Sequence, residues 1–256
     1  MITITPIPAF TDNYIWLITH QESRMSVVVD PGEAAPVLTA LQHKQLTLCG
    51  ILLTHHHHDH TGGVTELLAN YRVNVYGPLG DTILSANHRV AEGDTVEIPQ
   101  MNCRFKVIDI PGHTKGHIAF YHDRTLFCGD TLFTAGCGRI FEGTAEQMFN
   151  SLQKLAALPD DTFIYCGHEY TAANLRFAQT VEPDNKDIAQ RIIDTAHLRN
   201  KDQPTVPATL SLEKKTNPFL RSHVASVKNA VEKHTGQTLD SAVEVFKYTR
   251  LWKDSF

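Results

Sequence analysis

The chain has 256 residues, 42% hydrophobic and 20% charged, which fits a globular protein and excludes a disordered or fibrous one. A net charge of −5 argues against nucleic acid or an anionic membrane as the main partner, and no apolar run approaches the ~20 residues that span a bilayer. Five scattered cysteines form no even, closely spaced framework, and the start MITITPIPAF lacks the basic segment of a signal peptide. The expectation is therefore reduced thiols, no signal peptide and a cytoplasmic protein.

In chain order, the first part reads as short β-rich runs broken by Gly, Pro and Asp. These are IWLIT (15–19), SVVVD (26–30), GILLT (50–54), CRFKVIDI (103–110), then IAFYH and TLFCGD about a turn at Asp123 and Arg124. Helix patterns lie between them, so the domain is of the layered α/β class. Thr144 and Gln147 form a capping box ahead of Met148, Leu152 and Leu155 and start a helix. Beyond about Thr171 the strand signals fade, and AANLRFAQTV and IAQRIIDTAHLRN have helical spacing. Charge divides at the same place: residues 1–172 hold 10 Lys and Arg against 18 Asp and Glu, and residues 173–256 hold 13 against 10. Two domains are expected, a catalytic one over 1–172 and a basic, mainly helical one over 173–256.

Of fifteen histidines, five fall within the six positions 55–60, in the run Thr54-His55-His56-His57-His58-Asp59-His60. Five imidazoles and a carboxylate cannot be buried unpaired without a large desolvation penalty, whereas a divalent ion resolves that cost. In an extended segment alternate side chains share a face, so His55 and His57 can meet one ion. Asp59 and His60, at the turn into the next helix, can face a second. His56 and His58 are then turned away. One cluster does not complete two sites, and three strand ends offer partners: His113 in PGHTKGH, Asp130 in CGDT, and His168 in CGHE. His117 is read as a support for the loop that carries His113, with a helix cap or surface role equally open.

This pattern, T-H-x-H-x-D-H followed by His113, Asp130 and His168, resembles the metallo-β-lactamase superfamily. Within it, GDTLF, GCGR and FEGTAEQM (129–148), GHEYT (167–171) and RLWKDSF (250–256) resemble the glyoxalase II family of hydroxyacylglutathione hydrolases. The resemblance covers nearly the whole chain. It implies a four-layer αββα sandwich with a C-terminal helical domain and two divalent ions, zinc first, with iron or manganese also compatible with N/O donors. By motif, His55, His57 and His113 bind one ion, Asp59, His60 and His168 the other, and Asp130 bridges both. A hydroxide held there, with Asp59 and Asp130 as its catalytic carboxylates, attacks the thioester carbonyl of S-(2-hydroxyacyl)glutathione. The leaving thiolate, with a pKa near ~8.5, needs no strong general acid. The implied contacts to the glutathione part are Arg139, Tyr170, Arg250 and Lys253. Phe141 stands where some relatives have Tyr, which removes one hydroxyl. A monomer is the default.

Neither a G-x-S-x-G elbow nor a catalytic setting for Cys128, Cys137 or Cys166 is present. Rival readings are a persulfide dioxygenase with one iron, a phosphodiesterase or nuclease of the same superfamily, and a non-catalytic metal-binding protein. The acidic first domain disfavours the nuclease. A set of His and Asp donors without thiolates disfavours a closed structural site.

Overall fold

Strands form where the apolar runs lie, and the runs at 15–19 and 26–30 are buried on both faces. The computed structural model describes residues 1–256 as two compact units, Met1–Asp109 with Thr114–Gly129, and Ile110–His113 with Asp130–Phe256. The composition boundary at 172/173 lies inside the second.

In the first unit, Ile2–Ala9 (β1), Asn13–His20 (β2), Met25–Val29 (β3), Thr47–Leu52 (β4), Asn74–Pro78 (β5) and His88–Val90 (β6) form one sheet in chain order. β1, β2 and β3 pair antiparallel, and β3 through β6 pair parallel. The parallel steps need crossovers. Helix α1 (Ala34–Lys44) supplies the one from β3 to β4, and α2 (His58–Thr61) and α3 (Val64–Asn70) lie between β4 and β5. Ile15, Leu17, Val28 and Ile51 face these helices in a core with Val37, Leu41, Val64 and Leu67.

A second antiparallel array stacks on the other face: Thr95–Ile98 (β7), Cys103–Asp109 (β8), Ile118–His122 (β9) and Thr125–Gly129 (β10). Here Gly50 of β4 lies under Ile98, where a Cβ would come within 3.3 Å of Cδ1. Being sandwiched in this way explains why VVV of β3 is apolar without alternation. The β9–β10 turn has Asp123 and Arg124 both at positive φ, the two-residue hairpin turn expected at that point.

The second unit is mainly helical. Its α4 (Ala145–Ala156) starts on the expected capping box: Gln147 N donates to Thr144 Oγ1 at 3.1 Å and Thr144 N to Gln147 Oε1 at 2.9 Å. Short strands Leu132–Phe133 (β11) and Gly136–Cys137 (β12) make a hairpin, and Phe163–Cys166 (β13) pairs with Ala208–Thr209 (β14). β14 lies in the stretch read as helical, because two residues carry no alternation to detect. Helices α5 (Thr171–Val181), α6 (Lys186–Arg199), α7 (Leu210–Thr216), α8 (Ala225–Thr235) and α9 (Ala242–Ser255) complete it. Phe177, Phe219 and Phe246 are fully buried among them.

Polar side chains from these helices satisfy the hairpin's backbone. The buried Glu213 carboxylate accepts from Ala135 N at 2.7 Å and from Arg191. Asn217 Nδ2 donates to the carbonyls of Phe133 and Gly136 at 3.2 and 2.8 Å. The chain leaving Asp130 therefore runs into a hairpin that is held from outside, since a two-residue ladder could not hold itself.

Glu182, at the end of α5, ties three segments together. It accepts from Arg221 Nε at 2.7 Å, Arg221 Nη2 at 2.9 Å and Ser226 Oγ at 2.6 Å. Burial pushes its carboxyl up, but hydrogen bonds from Arg221 and Ser226 and the Arg221 charge outweigh this and hold it below the ordinary 4.5. A depressed carboxylate contributes stability above its unfolded pKa and loses it as pH falls through its folded pKa. We expect Glu182→Gln to cost about 2 kcal/mol in urea unfolding at neutral pH. That difference should shrink below the ordinary 4.5 as wild-type Glu182 is itself protonated. A difference that stays constant into acid would contradict it.

Candidate metal centre

The parallel order of β3, β4 and β5 brings their carboxyl ends to one edge, where polar side chains can be aimed outward. Asp30 follows β3, the histidine run follows β4, and Asp81 follows β5. Asp30 takes a positive φ of 52°, and its carboxylate is buried. Asp30 Oδ1 accepts from Thr54 N at 2.8 Å, and Oδ2 from Thr54 Oγ1 at 2.7 Å and His60 Nδ1 at 3.1 Å. Since the Thr54 hydroxyl donates to Asp30, it accepts from His55 Nδ1 at 3.0 Å. Both His55 and His60 are thereby set with Nδ1 as donor and the Nε2 lone pair as the ligand. His55 Nε2 lies 3.1 Å from His57 Nδ1, and His60 Nε2 lies 3.4 Å from Asp59 Oδ2. Asn13 Nδ2 donates to that same Asp59 oxygen at 3.0 Å.

The leftover histidines behave as alternation requires. His56 turns to Asp81, 2.9 Å from its Nδ1, and His58 opens α2. His117 is fully buried and stacks on His55 with centroids 4.6 Å apart, so it is a wall of the histidine cluster. Gly129 admits no side chain: its φ is +47°, and a Cβ would lie 2.3 Å from Thr54 Oγ1. The next residue is Asp130.

The second unit gathers the other three donors. His113 Nδ1 donates to the Arg139 carbonyl at 2.9 Å, which leaves Nε2 to face Asp130 Oδ2 at 3.5 Å. His168 Nε2 lies 3.3 Å from the same oxygen. The His168 ring stacks flat on Tyr170 at 4.7 Å, and the exposed Phe141 ring lies 5.2 Å from that of His113.

These donors suit divalent ions. Two nitrogens bound tetrahedrally at about 2.0–2.1 Å sit about 3.3 Å apart. Each spacing above is of that order, and each fixed tautomer leaves the imidazole lone pair toward its fellow donors. Asp130, with one oxygen facing two imidazoles, has the disposition of a bridging ligand.

Two family models match the chain: the metallo-beta-lactamase superfamily over residues 10–168, and the hydroxyacylglutathione hydrolase C-terminus over 169–256. A hydroxyacylglutathione hydrolase of Aliivibrio salmonicida is 56% identical over 100% of both chains. One from Alkalilimnicola ehrlichii is 54% identical over 99% of each. The chain belongs to the hydroxyacylglutathione hydrolase family. Among solved structures, ETHE1 from Myxococcus xanthus aligns with a TM-score of 0.68 at 25% identity, covering 98% of this chain and 90% of that one. The expected metallo-β-lactamase fold is thus borne out, and membership implies a dinuclear metal site.

The residues expected to grip substrate lie in the second unit, in unequal settings. Arg139 is largely exposed, with Nε 3.8 Å from Asp254 Oδ1. Arg250 is buried: Nη1 donates to the Cys137 carbonyl at 2.8 Å, Nη2 to Asp254 Oδ1 at 3.1 Å, and the guanidinium lies over Phe219. Lys253 lies over Phe177 and Phe256 at 5.3 and 5.5 Å. Burial, then the Arg250 and Arg176 charges, lower its pKa from the ordinary 10.5. Arg250 therefore packs as well as carries charge, and Lys253 is the cleaner probe of binding. A cysteine nucleophile is disfavoured on the same ground of burial, which pushes the thiols of Cys137 and Cys166 up to about 11 and about 12.

Asn13, Asp30 and Asp81 escaped the reading of the sequence. Asp30 ends the run SVVVD, so its place at a strand end was visible, but nothing marked it off from a turn residue. Since Asp30 holds both Thr54 and His60, we expect Asp30→Asn to weaken metal binding about 10–100-fold. Chelator competition measures this; unchanged affinity would contradict it.

Proposed function

We propose that this chain hydrolyses S-(2-hydroxyacyl)glutathione, chiefly S-D-lactoylglutathione, to glutathione and D-lactate, the step that completes methylglyoxal detoxification. The observation that carries the reading is full-length identity above 50% to relatives named hydroxyacylglutathione hydrolase. The same identity, rather than coverage, favours the hydrolase over the dioxygenase.

In this reading His55, His57 and His113 hold one ion, Asp59, His60 and His168 the other, and Asp130 joins them. Chain connectivity supports it: His113 and Asp130 are each one peptide bond from the first unit. Two divalent ions in such a centre supply hydroxide near neutral pH and stabilise the charge that develops on the carbonyl oxygen. Asp59, oriented by Asn13, and Asp130 fix where the attacking oxygen sits. Arg139, Lys253 and Arg250 offer cationic charge to the glutathione carboxylates, Tyr170 a hydroxyl, and Phe141 an apolar wall. Zinc is the proposed metal, with iron and manganese also compatible with the N/O donors. No helix is long and apolar enough to cross a membrane, and the cysteines form no disulfide. A cytoplasmic monomer acting on a small molecule, with no nucleic-acid or membrane partner, accords with both.

Elemental analysis with a thioester assay tests the reading: two ions per chain and turnover of S-D-lactoylglutathione are expected. Two bound ions without turnover would defeat it. Asp130→Ala should lose both ions, not one, because it bridges; full metal content in that variant would remove it from the centre. Lys253→Ala should raise KM several-fold with little change in kcat, as expected for a group that grips a remote part of the substrate. A defect confined to kcat would place Lys253 elsewhere in the reaction.

A further inference from the structure

Asp81 lies in the loop after β5, far in sequence from every proposed ligand, and its side chain is only 3% exposed. It accepts four hydrogen bonds, all within the first unit. Oδ2 takes His56 N at 3.1 Å, His56 Nδ1 at 2.9 Å and Thr114 Oγ1 at 3.1 Å, and Oδ1 takes Gly116 N at 2.9 Å. One carboxylate thus clamps two loops. The first carries His55 and His57 on either side of His56. The second begins at Thr114, the residue after His113. Arg89 fixes the clamp from behind by donating to the carbonyls of Pro78 at 3.2 Å, Leu79 at 2.8 Å and Asp81 itself. Gly116 admits the close approach, since a Cβ there would lie 2.4 Å from Asp81 Oδ1.

The division of contacts is selective. Asp59 accepts from Asn13 and His60 donates to Asp30, whereas the bonds of Asp81 go to His56, Thr114 and Gly116. Asp30, by contrast, reaches both His60 directly and His55 through Thr54.

We propose that Asp81 is the positioning residue of one metal position, the one assigned to His55, His57 and His113, which it holds in place through His56, Thr114 and Gly116. The inference rests on the dinuclear reading above. Asparagine at position 81 keeps the shape but turns one acceptor into a donor. Either Gly116 N or the three donors at Oδ2 then meet an N–H group, and the two loops lose their common anchor.

The test is competitive chelation of the zinc-loaded full-length protein, with each ion's release followed separately. The cobalt-substituted protein gives the spectrum of the affected position. Asp81→Asn should weaken one of the two ions about 10–100-fold and leave the other within about two-fold. Thr114→Val removes one contact of four and should weaken the same ion less. Asp30→Asn should weaken both. Thermal melting of the metal-free variants separates positioning from folding. If Asp81 is merely structural, the metal-free protein melts lower and both ions weaken together, and the proposal falls. It falls also if both ions keep wild-type affinity. A wild type that binds no ion defeats the dinuclear reading itself, whereas two tightly bound ions unaffected by Asp81→Asn defeat only this inference.

Discussion

Imidazoles and carboxylates can be buried only if each hydrogen bond given up to leave water is replaced, and this requirement shapes both halves of the molecule. In the first unit the replacement falls to carboxylates at the ends of parallel strands. Asp30 takes three donors and Asp81 takes four, and between them they bond Thr54, His56, His60, Thr114 and Gly116. Neither Asp is itself a proposed ligand. Asp30 lets the His55 and His60 imidazoles sit out of water with their Nε2 lone pairs left for an ion, and Asp81 anchors the loops beside them.

In the second unit a backbone carbonyl does the same work for one imidazole, and an aromatic ring packs against another. The Arg139 carbonyl fixes the His113 tautomer, and Tyr170 lies flat against His168. Arg139 is a residue with two ends: its carbonyl orients a proposed ligand while its guanidinium reaches toward Asp254 on the last helix. A short hairpin too small to be stable alone is held by Glu213 and Asn217 from the helices that follow it. The helical extension is thus part of what supports Asp130, as well as a source of positive charge.

Much of this was legible in the residues, because the informative signals were local. Alternation placed His55 and His57 on one side and His56 on the other. The capping box at Thr144 fixed the start of a helix, and Asp123-Arg124 fixed a turn. β1 went unread because its two prolines interrupt the run, and β7 and β14 are too short for a period to stand out. Asn13, Asp30 and Asp81 were invisible for another reason. A buried carboxylate that serves two distant loops leaves no spacing in the chain, and its partners are known only once the strand order is known. The burial of Arg250 was equally unreadable, since charge and spacing alone suggested an exposed cation.

The buried and half-buried cysteines bear on the setting in which this protein is proposed to act. Thiol–disulfide exchange proceeds through the thiolate, and a group with a pKa of about 11, like Cys49 and Cys137, holds roughly one part in ten thousand as thiolate at neutral pH. Cys166, at about 12, holds less. Cys49, Cys137 and Cys166 thus have almost no capacity to form mixed disulfides with oxidised glutathione. Burial that serves packing also withholds these thiols from exchange with disulfides.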